Sequence, residues 1–142
     1  MADRDVILSK LDALYDARLN EDAATMMKLW APEGTIRVAG DPAVRPLFVP
    51  AGPVPLADAF PAFTETFLWH DLERVATIVE GDLAVARIRV TLSHGDGAPI
   101  ETEIMDEWRF DDEGRAVALV EFIDTARLPS LFADGAGRGQ AT

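Results

Sequence analysis

Residues 5–19 place Val6, Leu8, Leu11, Leu14, Tyr15 and Leu19 at helical spacing, so one face of a first helix is apolar. Asp3 or Asp5 can cap its start. Asn20-Glu21-Asp22 is a turn, and Asp22 stands at the cap of a second helix that carries Met26, Met27, Leu29 and Trp30. Pro32 cannot continue that helix and is expected to stop it. Thr35-Ile36-Arg37-Val38 reads as a short strand. Residues 40–56 hold five of the nine prolines, which predicts a long loop, with a short extended piece at Leu47-Phe48-Val49. Loops of this length often wall or cover sites. A third helix over about 56–69 puts Phe60, Phe63 and Phe67 on one side.

From residue 72 the pattern turns to alternation. Strands are predicted at about 72–80, 83–92, 100–110 and 116–124. Their links are turn-rich: Glu80-Gly81-Asp82, His94-Gly95-Asp96-Gly97 and Asp111-Asp112-Glu113-Gly114. Three helices and an antiparallel meander make an α+β domain whose helices cover one face of the sheet. Residues 133–142 have the composition of a disordered tail, which leaves 1–132 as a single domain.

In the strand 100–110, Ile104, Asp106, Trp108 and Phe110 share one face. Asp106 is a carboxylate among apolar neighbours, which costs free energy unless it is paired, hydrogen-bonded or protonated. Opposing Leu92 to Ile100 sets Ile88 against Ile104 and Ala86 against Asp106. On the other face Arg89 then meets Glu103, a favourable cross-strand pair. A slip of one residue destroys both matches. Opposing Phe110 to Val117 sets Trp108 against Leu119, Ile104 against Ile123 and Asp106 against Glu121. Two carboxyls then lie side by side on the helix-covered face, with small Ala84 and Ala86 beside them. This is the outline of a pocket with aromatic walls and few polar groups. Close carboxyls in apolar surroundings do not both ionise cheaply, so one is expected to keep its proton near neutral pH. A proton donor beside an acceptor suits general acid–base chemistry.

The net charge of -12 disfavours nucleic acid as a partner. The absence of cysteine excludes disulfides, thiolate metal sites and cysteine nucleophiles. Two distant histidines, His70 and His94, make a weak metal case. No window approaches the roughly 18 uninterrupted apolar residues of a membrane span. Met1-Ala2-Asp3-Arg4-Asp5 lacks a signal-peptide pattern, so a cytoplasmic protein without a membrane partner is expected. There is no glycine-rich phosphate loop, and no cofactor is implied.

Leu11-Asp12-Ala13-Leu14-Tyr15 through Asp22, then Leu29-Trp30-Ala31-Pro32-Glu33-Gly34-Thr35-Ile36, resembles the opening of the nuclear-transport-factor-2-like superfamily. Trp108-Arg109-Phe110-Asp111-Asp112-Glu113-Gly114-Arg115 resembles its closing hairpin. The likeness covers about residues 5–128. It implies a cone-shaped curved antiparallel sheet wrapped around three N-terminal helices, a central pocket, and commonly a dimer through the outer sheet face. The superfamily includes ketosteroid isomerases, limonene epoxide hydrolases and SnoaL-like polyketide cyclases. Against the isomerases, Asp106 matches a protonated oxyanion-binding aspartate, but Val38 stands at their general base and Leu14 at their oxyanion tyrosine. Tyr15, one position along, is expected to point elsewhere in that alignment. Against the SnoaL-like cyclases, Glu121 matches the acid/base aspartate and Asp106 a pocket histidine. Epoxide hydrolases of this fold use Asp-Arg-Asp; the place of their arginine is Ile104, and Arg37 could substitute only by pointing inward.

The resulting expectation is a SnoaL-like enzyme performing isomerisation, cyclisation or hydration on a small apolar, carbonyl-bearing ligand. Glu121 is its acid/base and Asp106 its protonated, oxyanion-binding partner. Tyr15, Trp30, Phe60, Phe63, Phe67 and Trp108 are the candidate substrate-binding residues. A non-catalytic ligand-binding or dimerisation module is the alternative, and an epoxide hydrolase the third reading. His70, at a helix end, reads as a surface residue, and His94, in a turn, as solvated. Asp124 shares the outward face with Phe122. Met105 opposes Phe122 there, an apolar pair that suggests a homodimer patch.

Overall fold

The computed structural model describes residues 2–40 and 53–132. Helix α1 (Arg4–Leu19) buries Ile7, Leu11, Leu14, Tyr15 and Ala17; Asp3 occupies its N-cap position without a side-chain capping bond. Helix α2 (Ala23–Leu29) begins at Asp22, whose carboxylate accepts from the Thr25 backbone N–H at 3.1 Å and so satisfies one open donor of the first turn.

This helix stops before Pro32. Trp30 is already extended and opens strand β1 (Trp30–Ala39), which is longer than the expected 35–38 and contains the proline. Proline is accommodated because the pairing of β1 shifts register between Trp30 and Thr35, where regular ladder hydrogen bonding is interrupted. Strand β2 (Val54–Pro55) pairs antiparallel with β1. Helix α3 (Leu56–Thr66) buries Leu56, Ala59, Phe60 and Phe63 and ends at Thr66 rather than 69. The chain is extended from Phe67, so Trp69 and His70 belong to strand β3 (Leu68–Glu80) and not to a helix end. Strands β4 (Leu83–Ser93), β5 (Ile100–Phe110) and β6 (Ala116–Phe122) complete the described elements.

The sheet is curved and unclosed, in the order β2-β1-β6-β5-β4-β3. β1 and β6 run parallel, and the other neighbours antiparallel. The β4–β5 register is the expected one throughout, with Leu92 opposite Ile100, Ala86 opposite Asp106 and Arg89 opposite Glu103. In β5–β6, Asp106 opposes Glu121 and Trp108 opposes Leu119, but a shift at Arg109/Phe110 sets Phe110 against Ala116 instead of Val117. On the outer face Arg87 pairs with Glu103 at 2.9 Å and Arg89 with Glu73 at 3.2 Å. These groups are exposed, so their pairing sets register more than it adds stability. The inner face joins α1 and α3 in one apolar core. The piece expected at 47–49, most of the proline-rich stretch and the 133–142 tail lie outside the described residues. Among described helices none is long and apolar enough to cross a membrane.

Candidate active site

The inner sheet face and residues of all three helices line a cavity, with Met26 contributed by α2. α1 lends Leu14, Tyr15 and Arg18. α3 and its end lend Phe60, Phe63 and Phe67. β1 lends Trp30, Ile36 and Val38, β5 lends Ile104, Asp106 and Trp108, and β6 lends Leu119 and Glu121. All eight candidate residues read from the sequence therefore line one space. Its polar side chains are few and adjacent, as in small-molecule sites generally.

Those polar groups form a chain. Trp108 Nε1–H donates to the Tyr15 hydroxyl at 3.1 Å, and Tyr15 O–H donates to Asp106 Oδ2 at 2.7 Å. Asp106 in turn stands opposite Glu121 across the β5–β6 pairing, and the two carboxyls act on each other electrostatically. Asp106 is fully buried, and burial pushes its carboxyl well above the ordinary carboxylate range; the Glu121 charge pushes the same way, while the Tyr15 hydrogen bond opposes. Burial also raises Glu121, against the Arg18 charge and the neighbouring Asp106 carboxyl, which lower it. Two carboxyls this close in apolar surroundings do not both ionise cheaply, so the pair favours keeping one proton between them near neutral pH. The second Asp106 oxygen, Oδ1, is buried and has no hydrogen-bond partner among the described residues. Tyr15 stays neutral, since burial and the facing Asp106 carry its pKa well above the ordinary phenol value.

Arg18 was not singled out from the sequence. Leu11, Leu14, Tyr15 and Arg18 follow the i, i+3, i+4, i+7 rhythm of the buried stripe, so an arginine on that stripe was the available signal. Its Nη2 donates to the carbonyl oxygens of Phe67 (3.0 Å) and Phe63 (3.5 Å), and its guanidinium lies 4.3 Å from the Trp69 ring centre. Burial lowers its pKa to about 10, partly opposed by the Glu121 charge, so it remains a cation at neutral pH.

Several expectations are corrected. Tyr15 does not point away from the pocket: it bonds Asp106 directly, because its ring crosses the Trp108 ring edge-on at 5.9 Å and carries the hydroxyl inward. Ala84 and Ala86 are fully buried but do not line the cavity, which lies chiefly over β1, β6 and β5. Arg37 falls between inward Ile36 and Val38 and so faces the other way. His94 is not solvated: Nδ1 contacts the Thr66 carbonyl oxygen at 2.9 Å and its ring packs on Phe132. His70 is exposed, as expected, with Nε2 at 2.8 Å from Ser93 Oγ. Exposed Asp124 accepts the backbone N–H groups of Ala126 and Arg127 and shapes a turn. Among the described residues no cluster of three or more histidine or acidic side chains is arranged to hold a metal ion.

The chain is similar in structure to an NTF2-like protein of unknown function from Burkholderia pseudomallei (TM-score 0.73, 20% identity, covering 92% of this chain and 98% of that one). It is similar to PrhC from Penicillium brasilianum (TM-score 0.79, 15% identity, 98% and 93% covered). It is also similar to an LEH-like epoxide hydrolase from M. tuberculosis (TM-score 0.69, 12% identity, 96% and 97% covered). At these identities the likeness is one of fold. No curated protein matches the sequence. The family model of the SnoaL-like domain matches residues 11–119. With that match spanning most of its length, the chain belongs to the SnoaL-like family of the nuclear-transport-factor-2-like superfamily.

Proposed function

We propose that this SnoaL-like protein catalyses proton transfer on a small apolar, carbonyl-bearing molecule, with Glu121 as general base and then general acid. The observation that carries this is the pair of buried carboxyls, Asp106 and Glu121, opposed across β5 and β6 on the wall of an apolar cavity. Glu121 takes a proton from the carbon next to the carbonyl. It then returns that proton elsewhere on the substrate, giving isomerisation, or to the oxygen of a second carbonyl that the new carbanion attacks, giving cyclisation. Asp106 Oδ2 accepts from Tyr15, and its carboxyl stands opposite Glu121 across the strands, so Asp106 acts through Glu121, tuning its basicity. The aromatic residues Trp30, Phe60, Phe63, Phe67 and Trp108 receive the apolar body of the substrate. We place a homodimer interface on the outer sheet face, supported by exposed Ile78, Met105 and Phe122.

Turnover of a panel of β,γ-unsaturated ketones and 1,3-diketones by wild type and Glu121→Gln tests the reading. A loss of about a hundredfold or more in the variant is expected. An active wild type matched by a fully active variant overturns it. Carboxyl titration by NMR separates the alternative: two values near 4 favour a non-catalytic binding module.

A further inference from the structure

The cavity wall contains two hydrogen-bond donors without a partner among the described residues, Arg18 Nη1 and Trp30 Nε1, both buried. Trp30 is 4% exposed, and both residues line the cavity. An unsatisfied buried donor is expensive, more so when it carries charge. Nothing about Arg18 suggests a side chain caught in passing. Its Nη2 is fixed by two carbonyls at the end of α3, and its plane rests on Trp69. One nitrogen therefore anchors the group while the other is left over. Capping α3 accounts for Nη2 and not for Nη1.

Charge points the same way. The Glu121 carboxyl acts on Arg18 through its charge, and no hydrogen bond joins it to Nη1. The guanidinium is thus a cation beside an apolar cavity with room in its valence for an anionic oxygen. Guanidinium N–H groups suit such an acceptor, since charge-assisted hydrogen bonds are the strong ones.

We propose that Arg18 selects the substrate: the ligand is an apolar ring system bearing an ionised oxygen, a carboxylate or an enolate, that Arg18 Nη1 binds, with Trp30 Nε1 available to a second, neutral carbonyl oxygen. This deepens the acid–base reading and rests on it for where the reaction occurs. Arg18 on α1 and Glu121 on β6 then stand at two points of one bound molecule, and the ionised oxygen sets which of its carbons meets Glu121.

The test is calorimetric binding of 2-naphthoate, its neutral isostere 2-naphthamide, and 4-nitrophenolate against 4-nitroanisole, at a pH where each acid is ionised. Wild type is expected to bind at least one anion tenfold or more tighter than its neutral counterpart, and the pair that shows it tells carboxylate from enolate chemistry. Arg18→Met is expected to abolish the preference and Arg18→Lys to restore part of it. Equal affinity for the anionic and neutral members of both pairs in wild type overturns the proposal, and so does a preference that survives in Arg18→Met. Should Arg18→Met fail to fold, the wild-type comparison decides alone. Glu121→Gln keeps or strengthens the anion preference, because it removes a competing negative charge. Loss of turnover in that variant therefore speaks to the acid–base reading and leaves the anion preference as a separate measurement.

Discussion

Tyr15 of α1 donates its hydroxyl proton to Asp106 of β5 at 2.7 Å, joining residues 91 positions apart. The tyrosine oxygen is at the same time the acceptor for Trp108 Nε1. One hydroxyl thus satisfies a buried indole and a buried carboxyl.

Tyr15→Phe removes both bonds with little change in shape. Trp108 Nε1 is left without an acceptor, and Asp106 loses the hydrogen bond that held its pKa down. The expected outcome is a loss of about 1–3 kcal/mol in denaturant unfolding and an Asp106 titration moved further upward, read by carboxyl NMR. Unchanged stability and titration contradict the role assigned to the hydroxyl.

Asp106→Asn copies the protonated acid. Its amide oxygen accepts from Tyr15. In wild type the folded pKa of Asp106 lies above its unfolded value, so the native state binds more protons between the two. The contribution to stability is therefore complete below the unfolded pKa, about 4, and falls as pH rises toward the raised folded value. Asparagine has no such loss. Chemical unfolding at a series of pH values is expected to show the variant gaining on wild type as pH increases from 4 upward. A gap independent of pH excludes the shared proton.

Gly34 lies against the ring of Trp30: a Cβ added there overlaps Cε3 of that indole. Gly34→Ala is expected to push the Trp30 ring toward the cavity, with a cost of about 1–3 kcal/mol from overpacking and weaker binding of aromatic ligands. Tryptophan fluorescence and thermal unfolding read both effects.

Met105 and Phe122 stand opposite each other on the outer face, 40% and 48% exposed. If this face joins two copies, Phe122→Ser together with Met105→Ser shifts the sedimenting species toward monomer while unfolding stability of the isolated chain changes little. A dimer unaffected by both substitutions moves the interface elsewhere.

The middle of the sheet was legible because two patterns had to agree. Apolar alternation placed Ile88 against Ile104, and the opposite charges of Arg89 and Glu103 coincided only in that register. Asp106 and Glu121 followed from the same counting, since the β-bulge at Arg109/Phe110 leaves their pairing in place. What the sequence concealed was local backbone choice and the deep arginine. Pro32 reads as the end of a helix, whereas its neighbour Trp30 has already left the helix, and the shift that accepts it carries no residue signature of its own. Arg18 lies on the buried stripe of α1, but its partners, the Phe63 and Phe67 carbonyls, depend on where α3 ends, which the spacing alone does not fix. Tyr15 was misjudged by alignment to a relative, although its place on the buried stripe of α1 was visible in the spacing.

The strand order has a consequence for how the chain is made. β1 emerges early, yet its long partner is β6, the last of the described strands, and among the described residues its other neighbour β2 pairs with it over two residues. Until β6 is synthesised, β1 has an open edge of unpaired backbone groups, while β3, β4 and β5 can already zip together as local hairpins. The final strand enters between two pieces that wait for it, and it carries Glu121. The group proposed to do the chemistry therefore arrives with the segment that closes the fold, and a nascent chain halted before β6 has neither a complete sheet nor a base.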